Sequence, residues 1–146
     1  MLLIEHQEQY EMRNQPKLRG KATPEELTMI RDCVLLPHML TMVQKSIDDM
    51  RLTPQYLNRL YIPAAQVLMN RISQDMYALK RELSCRNIKI HNDEQSEIAL
   101  YYTYTCRGYT ERFPIIREVA RAEISVRMSK YINDLIALLN NKQPGA

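Results

Sequence analysis

The sequence contains no tryptophan, one phenylalanine and three glycines. So little glycine argues against a long flexible linker or a turn-dense architecture, and it suits a helix-rich chain. The three cysteines, Cys33, Cys85 and Cys106, are odd in number, far apart and without a C-x-x-C pair. That spacing argues against a disulfide framework and a zinc knuckle, and it fits a reducing compartment. No block of like charge is present. The net charge of +3 divides as +1 over residues 1–73 and +2 over residues 74–146, whereas a dedicated nucleic-acid binder usually carries a one-sided basic stripe. No run approaches the ~20 apolar residues needed to cross a bilayer. The apolar opening Met1-Leu2-Leu3-Ile4 meets Glu5 before the core of a secretory signal is complete. These absences lead us to expect a cytoplasmic protein with no membrane partner.

What is present suits one domain. At 146 residues, with 45% hydrophobic and 25% charged residues, the chain can bury a core without staples. Residues 1–22 are mostly polar, with breaks at Pro16 and Gly20, and read as a flexible or partner-docking arm. Residues 23–140 read as the domain and 141–146 as a frayed tail.

The organising stretch is Thr53 to Leu83. Leu57, Tyr61, Ala64, Leu68, Ile72, Met76, Leu79 and Leu83 recur at steps of three or four, which predicts one apolar face of a helix. Thr53-Pro54 supplies an N-cap and a first-turn proline, and Pro63 predicts a kink. An earlier helix is signalled by Thr23-Pro24-Glu25-Glu26, a capping box with proline at the first position. Leu27, Ile30 and Val34 set one stripe of that helix; Leu36, Leu40, Val43, Ile47 and Met50 set another, out of phase. Pro37 lies at the change and predicts a kink. The short connection near Arg51 predicts antiparallel neighbours.

After Cys85 the period changes. Asn87 to His91 alternates, Asn92 to Ser96 is a polar turn, and Ile98, Leu100, Tyr102, Tyr104 and Cys106 alternate with Ala99, Tyr101, Thr103, Thr105 and Arg107. This predicts a hairpin whose apolar face lies on the helices. Arg107-Gly108-Tyr109 closes the second strand, and Pro114 reads as a first-turn residue of a last helix reaching about Asn140. Along it run Ile116, Ala120, Ile124, Met128, Tyr131, Leu135 and Leu138, with Glu123 and Arg127 spaced for an i,i+4 pair. The expected fold is α+β, mainly α: three long helices packed together, with a two-stranded antiparallel hairpin between the second and third.

The succession of a helix carrying Leu36-Pro37, a long helix ending near Asn87-Ile88-Lys89, a tyrosine-rich strand, Arg107-Gly108-Tyr109 and a final helix resembles the YhjD-like family of spore-forming Gram-positive bacteria. The resemblance spans roughly residues 27–138 and rests on the arrangement of elements, since its short motifs are not diagnostic. It implies a small bacterial cytoplasmic protein, and it carries no activity, cofactor or site residues over.

The residues that could carry chemistry are few. His6, Cys33, His38, Cys85, His91 and Cys106 lack the i,i+4 spacing of a local metal site. Cys85, near Arg81, Arg86 and His91, is the cysteine with company suited to a nucleophile, though a cysteine at a helix end is ordinarily a small hydrophobe. Six basic residues against three Glu lie between Arg107 and Lys130. Arg107, Arg112, Arg117 and Arg121, with Tyr101 and its neighbouring tyrosines, are candidates for nucleic-acid contact, against the ordinary packing of strand tyrosines and solvated helix arginines. Nine methionines include Met39, Met42, Met69 and Met76, candidates for adaptable partner contact or for the core. The expectation is a non-catalytic protein without metal, cofactor or small-molecule ligand, acting through protein partners or as a homodimer. The alternative is an RNA- or DNA-binding protein.

Overall fold

The computed structural model describes residues 21–141. Most of the arm expected over 1–22, and the tail after Asn141, lie outside the described residues. Helix α1 spans Pro24–Leu52 and α2 spans Asn58–Cys85; strands β1 (Ile88–Gln95), β2 (Ala99–Cys106) and β3 (Tyr109–Ile116) follow, and α3 spans Arg117–Asn141.

Helix α1 begins at the expected capping box: the Glu26 N–H donates to Thr23 Oγ1 at 3.1 Å, and the Thr23 N–H donates to Glu26 Oε1 at 3.0 Å. It runs unbroken through Pro37 to Leu52. Its consecutive residues Cys33, Val34, Leu35 and Leu36 are all buried, and successive helical positions point about 100° apart. The helix is therefore covered nearly all round at its middle, with α2 on one side and β2 and α3 on others. The two offset stripes in its sequence reflect these several neighbours.

Helix α2 corrects the organising stretch at its start. Thr53 is the C-cap of α1, its N–H bonded to Met50 O at 3.3 Å, and α2 opens only at Asn58. The inward line is Asn58, Ile62, Ala65, Met69 or Leu68, Ile72, Met76, Leu79 and Leu83. Leu57 and Tyr61, assigned to the core face in the sequence, are exposed. The reason is Asn58: its side-chain amide donates to Met50 O at 2.9 Å and Thr53 O at 2.5 Å, tying up the carbonyls of the turn and turning that position inward.

The sheet has three antiparallel strands in the order β1-β2-β3, which corrects the expected two-stranded hairpin. Residues placed in the last helix, Pro114 and Ile116 among them, belong to β3. Tyr109-Thr110-Glu111-Arg112-Phe113-Pro114-Ile115 alternates with period two, and Pro114 is tolerated because β3 is an edge strand with alternate N–H groups directed away from its neighbour. Arg107 (φ 49°) and Gly108 (φ 87°) make the two-residue turn between Cys106 and Tyr109; positive φ at both positions matches the twist of a tight hairpin.

The inner sheet face, with Ile88, Leu100, Tyr102, Tyr104, Cys106 and Ile115, packs on the helices. Leu35, Met39, Ile47, Ile72 and Ile115 are fully buried, each contributing roughly 1.5–3 kcal/mol.

Candidate functional site

The proposed nucleic-acid residues are dispersed. Arg107 sits at the β2–β3 turn and holds Glu26, with Nη2 to Oε1 at 3.0 Å and Nη1 to Oε2 at 3.1 Å; it also donates to Lys21 O and Arg86 O. The hydrogen bond from Arg107 keeps the buried Glu26 carboxyl well down, at about 2, against the opposing effect of burial. Arg117 lies at the far end of β3, where its Nε donates to Ser96 O at 2.8 Å. Eight strand residues separate the two, on the order of 25 Å at ~3.4 Å per residue. Arg121 is exposed on α3 beside Met42. Only Arg112 and Tyr101 meet: the guanidinium lies 4.3 Å from the ring centroid, and its Nε reaches Asp93 at 2.8 Å.

The four methionines are not brought onto one surface. Met39 and Met76 are core residues, Met69 is partly buried against that core, and Met42 is exposed. Burial pushes the Cys33 and Cys106 thiols up, which leaves them poor nucleophiles. Cys85 is exposed. His38 is bound to Tyr102, with Nε2 3.0 Å from the hydroxyl. Among the described residues no group of three or more His, Cys, Asp or Glu is arranged to hold a metal ion, and His6 lies outside them.

A cavity of about 550 Å³ opens where the three helices meet, floored by Met29, Leu36 and Leu79. Around it Arg127 Nη2 pairs with Asp32 at 2.6 Å, and the Tyr131 hydroxyl donates to Asp75. Burial first, and the bond to Asp75 second, hold the Tyr131 hydroxyl well above the ordinary tyrosine range. The expected Glu123–Arg127 pair is secondary, at 3.9 Å, because Glu123 turns to Arg31 at 2.6 Å. Sequence reading missed this cleft, whose walls come from distant segments. One signal was available: a tyrosine in a core stripe carries a hydroxyl that needs a partner. The Arg127–Asp32 and Tyr131–Asp75 contacts join α3 to α1 and to α2 across the cleft.

The fold and these contacts define a mainly helical α+β protein whose polar clusters hold elements together. The family model described as YhjD protein matches residues 21–136, and the chain belongs to that family. No curated protein and no solved structure matches it. Among the described residues no helix is long and apolar enough to cross a membrane.

Proposed function

We propose that the protein acts by non-catalytic protein–protein association, with a second copy of itself as the first partner and the cytoplasm as its setting. The observation that carries this reading is α3. Of its residues only Ala120 and Ile124 are buried, and Met128 and Tyr131 are the last that pack on the core. Beyond them, Ile132, Ile136 and Leu139 share one face at steps of four and three; the last two are 50% and 53% exposed. From Ile132 to Asn141 the only charged residue is Asp134.

Such a face favours its own copy across a two-fold axis, where every contact is made twice and few like charges are opposed. At roughly 1 kcal/mol for each side chain half-buried on contact, the paired faces contribute about 6 kcal/mol. Association costs ~4–15 kcal/mol, so the dimer is weak and concentration-dependent. The sheet edges favour the helical route, since β1 carries a register shift and the charges of Asp93 and Glu94, and β3 carries Pro114. The three free cysteines suit a reducing cytoplasm, and the family resemblance supports a host among spore-forming Gram-positive bacteria.

Sedimentation velocity over a concentration series tests the reading. The wild type should move toward a dimer with rising concentration, and Ile136→Asp with Leu139→Asp should remain monomeric. A wild type that stays monomeric throughout defeats it.

A second reading is supported by the outer sheet face, where Lys89, His91, Tyr101 and Arg112 lie opposite the helices by register. An aromatic ring stacked with a guanidinium on an open sheet can receive single-stranded RNA or DNA. Labelled oligouridine or oligothymidine should then bind at low salt with a steep salt dependence, and Tyr101→Ala with Arg112→Ala should abolish it. Equal binding by the variant rejects this reading.

A further inference from the structure

The apex of the α1–α2 hairpin is apolar and faces solvent. Leu52 is 84% exposed, Tyr56 89% and Leu60 61%, with Leu57 beside them. These residues surround the turn from Thr53 to Leu57, and none of them packs on either core cluster.

Several backbone carbonyls of the turn already have partners. The buried Asn58 amide occupies Met50 O and Thr53 O, and the Thr53 hydroxyl donates to Asp49 O at 3.1 Å. The Asn58 N–H bonds Gln55 O, and the Tyr61 N–H bonds Leu57 O. Pro54 has no N–H to satisfy. Polar backbone groups that already have partners remove a main obstacle to entering a low-polarity boundary.

Charge gives the partner. From Met50 to Gln74 the chain carries Arg51, Arg59 and Arg71 and no Asp or Glu. Arg51 and Arg59 flank the apex. Asp48 and Asp49 lie one turn back on α1, and Asp48 faces Arg51 at 3.9 Å.

We propose that this apex docks on an anionic membrane surface, with the leucines at the headgroup–acyl boundary, Tyr56 at headgroup level and the two arginines on lipid phosphates. This combination of exposed leucine, interfacial tyrosine and flanking cation is what an interface with one apolar and one anionic layer receives. A second copy is a poorer occupant. Apex-to-apex contact would bring Arg51 and Arg59 of two chains together, on a handful of side chains, where a stable interface takes about 800 Å² from each partner. The sequence-based expectation of no membrane partner rested on the lack of a spanning segment; surface docking departs from that expectation and requires no such segment. This inference is independent of the α3 association.

The test is co-sedimentation of the full-length protein with phosphatidylcholine vesicles, with and without phosphatidylglycerol. Wild type should bind the phosphatidylglycerol vesicles and bind phosphatidylcholine alone weakly or not at all, with affinity falling as salt rises. Leu57→Ser with Leu60→Ser should lose about tenfold or more in partitioning. Arg51→Gln with Arg59→Gln should remove the phosphatidylglycerol preference. Val126→Ser, an exposed apolar site elsewhere on α3, should bind as wild type does. Circular dichroism melting of each variant confirms that the fold is retained. Failure to bind phosphatidylglycerol vesicles, or equal binding by wild type and the leucine variant, overturns the proposal. So does a leucine variant that changes only the sedimentation coefficient, since the apex would then join copies of the chain.

Discussion

Arg107 and Glu26, 81 positions apart, are joined by two parallel hydrogen bonds of 3.0 and 3.1 Å. The pair fastens the β2–β3 turn to the first turn of α1, and Arg86 adds a second guanidinium at 3.7 Å. Removing one partner of a buried pair leaves the other charge uncompensated, which ordinarily costs 3–5 kcal/mol; with Arg86 still nearby, Arg107→Ala should cost roughly 2–3 kcal/mol. Urea unfolding measures this as a lower midpoint at unchanged slope.

The same pair sets an acid response. Folding lowers the Glu26 carboxyl from its ordinary 4.5 to about 2, so its contribution is whole above about pH 4.5 and drains away as pH falls toward 2. That contribution is on the order of 3 kcal/mol. Glu26→Gln should be less stable than wild type at neutral pH and show a shallower loss through this window. Unfolding curves collected between neutral pH and pH 2 check both signs.

Alkali should act through Tyr131 and Tyr104, whose hydroxyls burial holds above the ordinary range, with Asp75 and Glu111 as their respective acceptors. For an acid whose folded pKa is raised, the contribution is present below the unfolded value near 10 and is lost as pH rises. Ultraviolet titration should therefore show three tyrosines ionising late, Tyr102 together with Tyr104 and Tyr131. Tyr131→Phe should remove one of them and cost about 1 kcal/mol.

Met39 and Met42 share α1 and differ in surroundings: the first is fully buried and the second half-exposed. Met39→Ala should cost 2–5 kcal/mol through lost burial and a cavity, and Met42→Ala should stay within about 0.5 kcal/mol. Thermal melts of the two variants make the comparison.

Gly108 has open space where a Cβ would stand, yet its φ of 87° strains any side chain. Gly108→Val should destabilise by about 1–2 kcal/mol through the hairpin turn alone. Chemical denaturation against wild type gives the value.

The legible parts of this fold were local. Thr23 and Glu26 are three positions apart, so their reciprocal cap is written in adjacent residues, and the Ile98–Cys106 alternation states a strand without reference to anything distant. Where two local signals competed, the sequence misled. Thr53-Pro54 resembles a helix start, but Asn58 reaches back to Met50 and Thr53 and delays α2 by a turn. Pro114 resembles a first-turn proline, but pairing opposite Tyr101 makes it part of an edge strand. The candidate residues fared likewise: Arg107, Arg112, Arg117 and Arg121 are close in number, but strand geometry carries Arg107 and Arg117 to opposite ends of β3, with Arg112 midway and Arg121 on α3.

Sequence alone determined that the chain is mainly helical, that three long helices exist and that a strand precedes the last of them, because capping and periodicity are interactions among neighbours in the chain. Tertiary structure decided that Glu26 belongs to Arg107 and Asp75 to Tyr131, that a third strand completes the sheet, and that Leu57 and Leu60 stay in solvent. Those outcomes depend on which distant surfaces meet, and a side chain's preference for water or core is settled only when its neighbour across space has been chosen.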